Sequence, residues 1–157
     1  MASASSSGYE LPLLLFGGFR AIIEELHAEL AQRGHPEMRP AHGFAMQAIG
    51  LDGATATDVG RRLGISKQAA GKTIEQLEAV GYATRTGDDA DRRRKLVRLT
   101  PRGIDALGQS ALIFSDIRDR WVAALGPGHV DDLEASLRQM ADATSFRLDA
   151  AAWLGAG

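Results

Sequence analysis

The chain contains no cysteine. That absence excludes disulfides, thiol nucleophiles and cysteine-based redox sensing. The histidines, His27, His35, His42 and His129, include no pair at i, i+4, so no helix face offers the two imidazoles of a zinc motif. No apolar run approaches the roughly 20 residues a membrane span needs; LPLLLF is short and Arg20 soon follows. The opening MASASSSG is small and polar without a basic start, which predicts a tail over residues 1–10 rather than a signal peptide. A glycine-rich phosphate loop, a metal-ligand motif and a nucleophile elbow are all missing, which argues against an enzyme. These absences together predict a cytoplasmic protein with no membrane partner and no cofactor.

What is present is a charge asymmetry. The formal net charge is −2, yet residues 61–102 hold eleven basic and five acidic side chains, a local net of +6. The remaining residues sum to −8. A basic middle between acidic flanks suits contact with a polyanion through the middle alone.

Leu15, Phe19, Ile22, Leu26 and Leu30 recur at spacings of three and four, predicting a helix over 11–34 that Gly34, His35 and Pro36 stop. Pro40 then opens a short helix carrying Phe44, Met46 and Ile49. Thr55 and Asp58 form a weak capping box for a helix over 56–63, with Val59 and Leu63 inward. Gly64 ends it in a left-handed turn, with Ile65 expected to be buried there. Ser66 caps a second helix reaching about Val80, its inward face Ala70, Ile74 and Leu77, and Gly81 closes it. Two helices joined by so short a turn form a helix-turn-helix.

YATRT and KLVRL read as two strands joined by GDDADRRR, a hairpin with charge at its tip. Thr100 and Pro101 start a helix to about Leu125, with Ile104, Leu107, Ala111, Phe114, Ile117, Trp121 and Leu125 on one stripe. GPGH breaks it, and a last helix is expected from about Asp131, carrying Leu133, Leu137 and Met140.

The second helix of the helix-turn-helix presents Ser66, Lys67, Gln68, Gly71 and Lys72 at its open end and on the face away from its apolar side. A helix of this size fits the DNA major groove. Lysine reaches phosphate or guanine, glutamine suits adenine, and Gly71 allows close backbone approach. Arg92, Arg93 and Arg94 at the hairpin tip suit the electronegative minor groove, and Asp91 can hold a guanidinium in place. The plainer alternative is a solvated amphipathic helix beside a charge-mixed surface hairpin.

The order DVGRRLGISKQAAGKTIEQLEAVGYATR then DDADRRRKLVRLTPRG resembles the MarR-type family (multiple antibiotic resistance regulators) of winged helix-turn-helix transcription regulators. Asp91, Arg92, Arg93, Val97, Leu99, Thr100 and Gly103 match that family's wing signature, and the resemblance spans about residues 11–147. It implies a mainly α fold with a small β-hairpin. Residues 40–100 would form the winged helix-turn-helix DNA-binding domain. Residues 11–36 and 101–147 would form a helical dimerisation region, followed by a loose tail over 148–157. It further implies a homodimeric repressor on a palindromic operator, released by a small aromatic or anionic effector. Phe16, Phe19, Arg20, His42, Phe44 and Trp121 are the candidate effector residues, although a capped or solvent-facing role for His42 is the plainer expectation. A winged-helix module that binds an acidic protein partner is the alternative function.

Overall fold

A computed structural model describes residues 8–87 and 95–140. Its elements run α1 (Glu10–Gln32), α2 (Pro40–Ile49), α3 (Ala56–Leu63), α4 (Lys67–Ala79), β1 (Ala83–Gly87), β2 (Lys95–Leu99), α5 (Pro101–Leu125) and α6 (Pro127–Met140).

Local chemistry sets most of these boundaries. The Thr55 hydroxyl accepts the Asp58 N–H at 3.1 Å, and the Asp58 carboxylate accepts the Thr55 N–H, completing the reciprocal box that starts α3. The Thr55 hydroxyl, donating to the Asp58 carboxylate at 2.8 Å, and then the Thr55 N–H hold the Asp58 carboxyl below its ordinary range. Gly64 sits at φ 68°, in the left-handed region. Ser66 Oγ then accepts the Ala69 N–H at 3.1 Å to open α4. At its far end the Gly81 N–H donates to the Glu78 carbonyl and the Tyr82 N–H to the Leu77 carbonyl, a Schellman closure with Gly81 at φ 80°. Thr100 Oγ1 accepts the Gly103 N–H, with Pro101 opening α5.

The two strands pair antiparallel from Ala83↔Leu99 to Gly87↔Lys95. Ala54, in the α2–α3 loop, adds a bridge to Val97, its N–H and carbonyl both bonded at 2.9 Å. Gly53 beside it has φ 84°, and a Cβ there would stand 2.7 Å from the Val97 carbonyl oxygen. The core gathers Leu30, Met46, Ile49, Val59, Ile74, Leu77, Tyr82, Val97 and Ile113, all almost fully excluded from water.

Four expectations are corrected by this packing. Ile65 is 41% exposed rather than buried in the turn. It is the Ile65 backbone that packs inward: its N–H bonds the Gly60 carbonyl, and a Cβ on Gly60 would lie 2.9 Å from the Ile65 oxygen. The α5 stripe is covered only in part: Leu107 and Ile117 are buried and Phe114 and Trp121 pack against the core, but Ile104 and Leu125 are exposed, and Gly103, Ala106, Ser110 and Ile113 complete the buried face. The α6 helix begins at Pro127 instead of near Asp131, because a proline costs nothing at the first helical position. Finally, Leu15 and Phe19 share the period of Leu26 and Leu30, but only the latter two are buried, because no described element covers the first half of α1.

Candidate nucleic-acid interface

The α4 helix divides into two faces. Ala70, Ile74 and Leu77 are fully buried against the core, whereas Lys67, Gln68, Ala69 and Lys72 are exposed. Among the described residues neither Lys67 nor Lys72 makes an ion pair, so both ammonium groups stand uncompensated at the helix surface. Ser66 is committed to its cap, so its role is to shape the helix start. Gly71 has open space where a Cβ would stand, so nothing inside the fold requires a glycine there. This contrasts with Gly60 and Gly103, whose Cβ positions collide with backbone.

The hairpin is tied to this helix. Arg85 on β1 pairs with Glu78 on α4 at 3.1 Å, and Tyr82 links the end of α4 directly to β1. Lys95 and Arg98 on β2 are exposed. The candidate tip residues Asp91, Arg92, Arg93 and Arg94 lie outside the described residues. They belong to the link between Gly87 and Lys95, whose pairing sets its two ends side by side. Other basic residues of the segment are engaged internally: Arg62 donates to the Ala48 carbonyl, and Arg61 pairs with Asp58.

The candidate effector residues are scattered. Phe19 and Trp121 line an apolar groove of about 660 Å³ between α1, α5 and α6, together with Leu14, Phe114 and Leu133. The groove also touches Arg118 and Glu134, which pair with each other at 2.7 Å. Phe16 is 63% exposed on α1, and Arg20 is engaged with Glu24 at 2.6 Å; neither lines the groove. Phe44 is on α2, outside it.

His42, expected to be capped or to face solvent, is only 4% exposed, and its Nδ1 is buried with no hydrogen-bond partner among the described residues. It falls on the inner side of α2 with Ala45, Met46 and Ile49, which the proline-set start of that helix determines. Burial, which strips water from the charged ring, pushes its pKa down; the Gln76 side chain partly opposes this and the Arg39 charge reinforces it. The unfolded ring therefore takes a proton at higher pH than the folded one, so the neutral form favours folding. This contribution is complete above about pH 6.5 and is lost as pH falls through the lower folded value. Urea denaturation midpoints measured at pH 7 and pH 5 are expected to fall on acidification, and to fall less in His42→Leu. Equal falls in both proteins would remove His42 from the acid response.

One partly buried polar cluster left no signal in the sequence: His35, Tyr82 and Asp105, with Arg102 beside them. His35 is 47 residues from Tyr82 and 70 from Asp105, so no local pattern joins them.

Comparison with known proteins locates this geometry. Residues 38–94 match the MarR family model. No curated protein sequence matches the chain significantly. Among solved structures, the reduced form of MarR from E. coli is 20% identical with a TM-score of 0.69, over 84% of this chain and 96% of that one. The transcriptional repressor CouR, bound to a 23-mer DNA duplex, is 23% identical with a TM-score of 0.68, over 90% and 99%. The PcaV regulator of Streptomyces coelicolor, in complex with its natural ligand, is 19% identical with a TM-score of 0.63, over 91% and 99%. At these identities the structural likeness is one of fold. Residues 38–94 thus match the MarR family model, and the described helices and hairpin share the fold of these regulators.

Proposed function

We propose that the chain is a dimeric, sequence-specific DNA-binding repressor, acting in the cytoplasm and released from a palindromic operator by a small effector. The observation that carries the reading is the uncovered basic face of α4, where Lys67 and Lys72 are unpaired among the described residues, fixed beside the hairpin by Arg85 and Glu78. In this reading α4 enters the major groove through Lys67, Gln68, Gly71 and Lys72, and Arg92, Arg93 and Arg94 reach phosphate or the adjoining minor groove. CouR, similar in fold, is bound to duplex DNA, which supports the same use here.

Pairing of two subunits is supported by apolar surface that the single chain leaves open. Leu11, Leu13, Leu14 and Phe16 are each more than 60% exposed at the start of α1, and Leu133, Leu137 and Met140 are exposed along α6. A second copy that buries these residues would take that contiguous apolar surface out of water. The division into a helical pairing region, residues 11–36 and 101–147, and a reading domain, 40–100, follows from that reading. For the effector, the Phe19 and Trp121 part of the groove favours an aromatic ligand over an anion, since Arg118, the one arginine lining it among the described residues, is already paired; Leu14 and Leu133, which also line it, would be shared with the second copy.

The test is a salt titration. Binding of labelled genomic duplex fragments, followed by anisotropy from about 50 to 200 mM salt, should weaken along a straight log–log line, with a slope of about −0.9 per phosphate contacted. Affinity that stays flat across that range would sink the DNA reading. Sedimentation of the free protein should show a dimer.

A further inference from the structure

The reading unit and the helices that carry it meet at one polar cluster centred on two buried side chains, His35 and Tyr82. His35, in the α1–α2 loop, is 3% exposed. Its Nδ1 lies 3.1 Å from the Tyr82 hydroxyl, and its Nε2 lies 2.7 Å from the Asp105 carboxylate on α5. Arg102, one turn before Asp105, lies over the Tyr82 ring, its guanidinium carbon 4.9 Å from the centroid. It also donates to the carbonyls of Val80 and Gly34 and to the Glu37 carboxylate. Three segments far apart in sequence are thus held by one set of directional bonds.

Tyr82 is the member through which this cluster can act on the reading unit. Its side chain is fully buried. Its N–H closes α4 on Leu77, its carbonyl accepts the Thr100 N–H, and β1 begins at the next residue. Displacing Tyr82 therefore displaces the end of α4 and the root of the hairpin together.

The proton positions follow from the partners. The Asp105 carboxylate only accepts, so Nε2 carries a hydrogen. Nδ1 lies against the Tyr82 O–H. Burial pushes the Tyr82 hydroxyl pKa up, which keeps that proton in place. Apolar packing alone tolerates sliding, whereas directional hydrogen bonds anchored on buried side chains specify one arrangement.

We propose that His35, Tyr82 and Asp105 form a positioning joint that sets how α4 and the hairpin are held on α1 and α5, and through that orientation sets the affinity for duplex DNA. The inference rests on the DNA-binding reading above. The joint touches no nucleic acid itself, so its residues are positioning residues.

Tyr82→Phe removes the hydroxyl and keeps the ring beneath Arg102. Asp105→Ala removes the acceptor at a half-exposed site, and Asp105→Asn restores an acceptor oxygen. Each of the first two is expected to weaken duplex binding about fivefold or more. The slope against salt should not change, because the same phosphates are contacted. Asp105→Asn should recover part of the loss, and the Tyr82→Phe, Asp105→Ala double variant should lose less than the two single losses combined. Ile113→Val, which trims the core away from the joint, controls for stability: it should lower the thermal midpoint and leave affinity alone. If the parent binds and both single variants bind within about twofold of it, the joint is overturned alone. The same holds if Ile113→Val loses affinity in step with its midpoint. A parent chain that binds no duplex overturns the joint together with the DNA reading.

Discussion

Gly103→Ala is expected to destabilise the fold by about 3 kcal/mol, the upper part of the range for overpacking. A Cβ at this position would stand 2.2 Å from the Tyr82 carbonyl oxygen and 3.1 Å from its carbonyl carbon. These are backbone atoms that no rotamer change can move aside. The same carbonyl accepts the Thr100 N–H at 3.1 Å, and the Gly103 N–H is held by Thr100 Oγ1, so both sides of the contact are tied. Relief requires α5 to back away from the α4–β1 corner, opening the core beside Tyr82. Gly43→Ala supplies the comparison. Its Cβ would meet nothing within 4 Å on α2, and it should stabilise by about 0.5–1 kcal/mol through the unfolded chain. Urea unfolding of the two variants should bracket the parent, and a Gly103→Ala midpoint equal to the parent's would show that α5 can shift freely.

The second large effect concerns DNA. Replacing both Lys67 and Lys72 by alanine is expected to weaken duplex binding roughly a hundredfold, taking about 1.5 kcal/mol for each charged interaction removed. The log–log salt slope should become shallower by about 1.8, two phosphates at 0.9 each. Folding should be unaffected, since both side chains are exposed and unpaired among the described residues. A loss of affinity without a change of slope would assign the lysines to base edges instead of phosphate. No loss at all would take α4 out of the interface.

The two effects differ in how far the sequence foretells them. The α4 helix, its cap at Ser66, its closure at Gly81 and its polar face were all legible from consecutive residues. The requirement at Gly103 was not, even though Gly103 stood among the residues matching the wing signature. Its cause is the Tyr82 carbonyl, brought against it by the return of the hairpin.

Consecutive residues were enough to define the elements: the Thr55–Asp58 box, the left-handed Gly64, the paired strands and the Thr100–Pro101 start of α5. The box, the turn and the α5 start depend on hydrogen bonds or backbone torsions among neighbours a few residues apart, and the strands on alternation on either side of a polar loop, so composition and spacing encode them. Long-range packing settled which face of α5 is buried, that Ile65 stays outside, that His42 is enclosed, and that Ala54 bridges Val97. It alone brought His35 to Tyr82 and Asp105. Periodicity marks a helix as having an apolar side, but which stretch of that side is covered depends on where distant segments return. That outcome belongs to the whole chain and leaves no local trace.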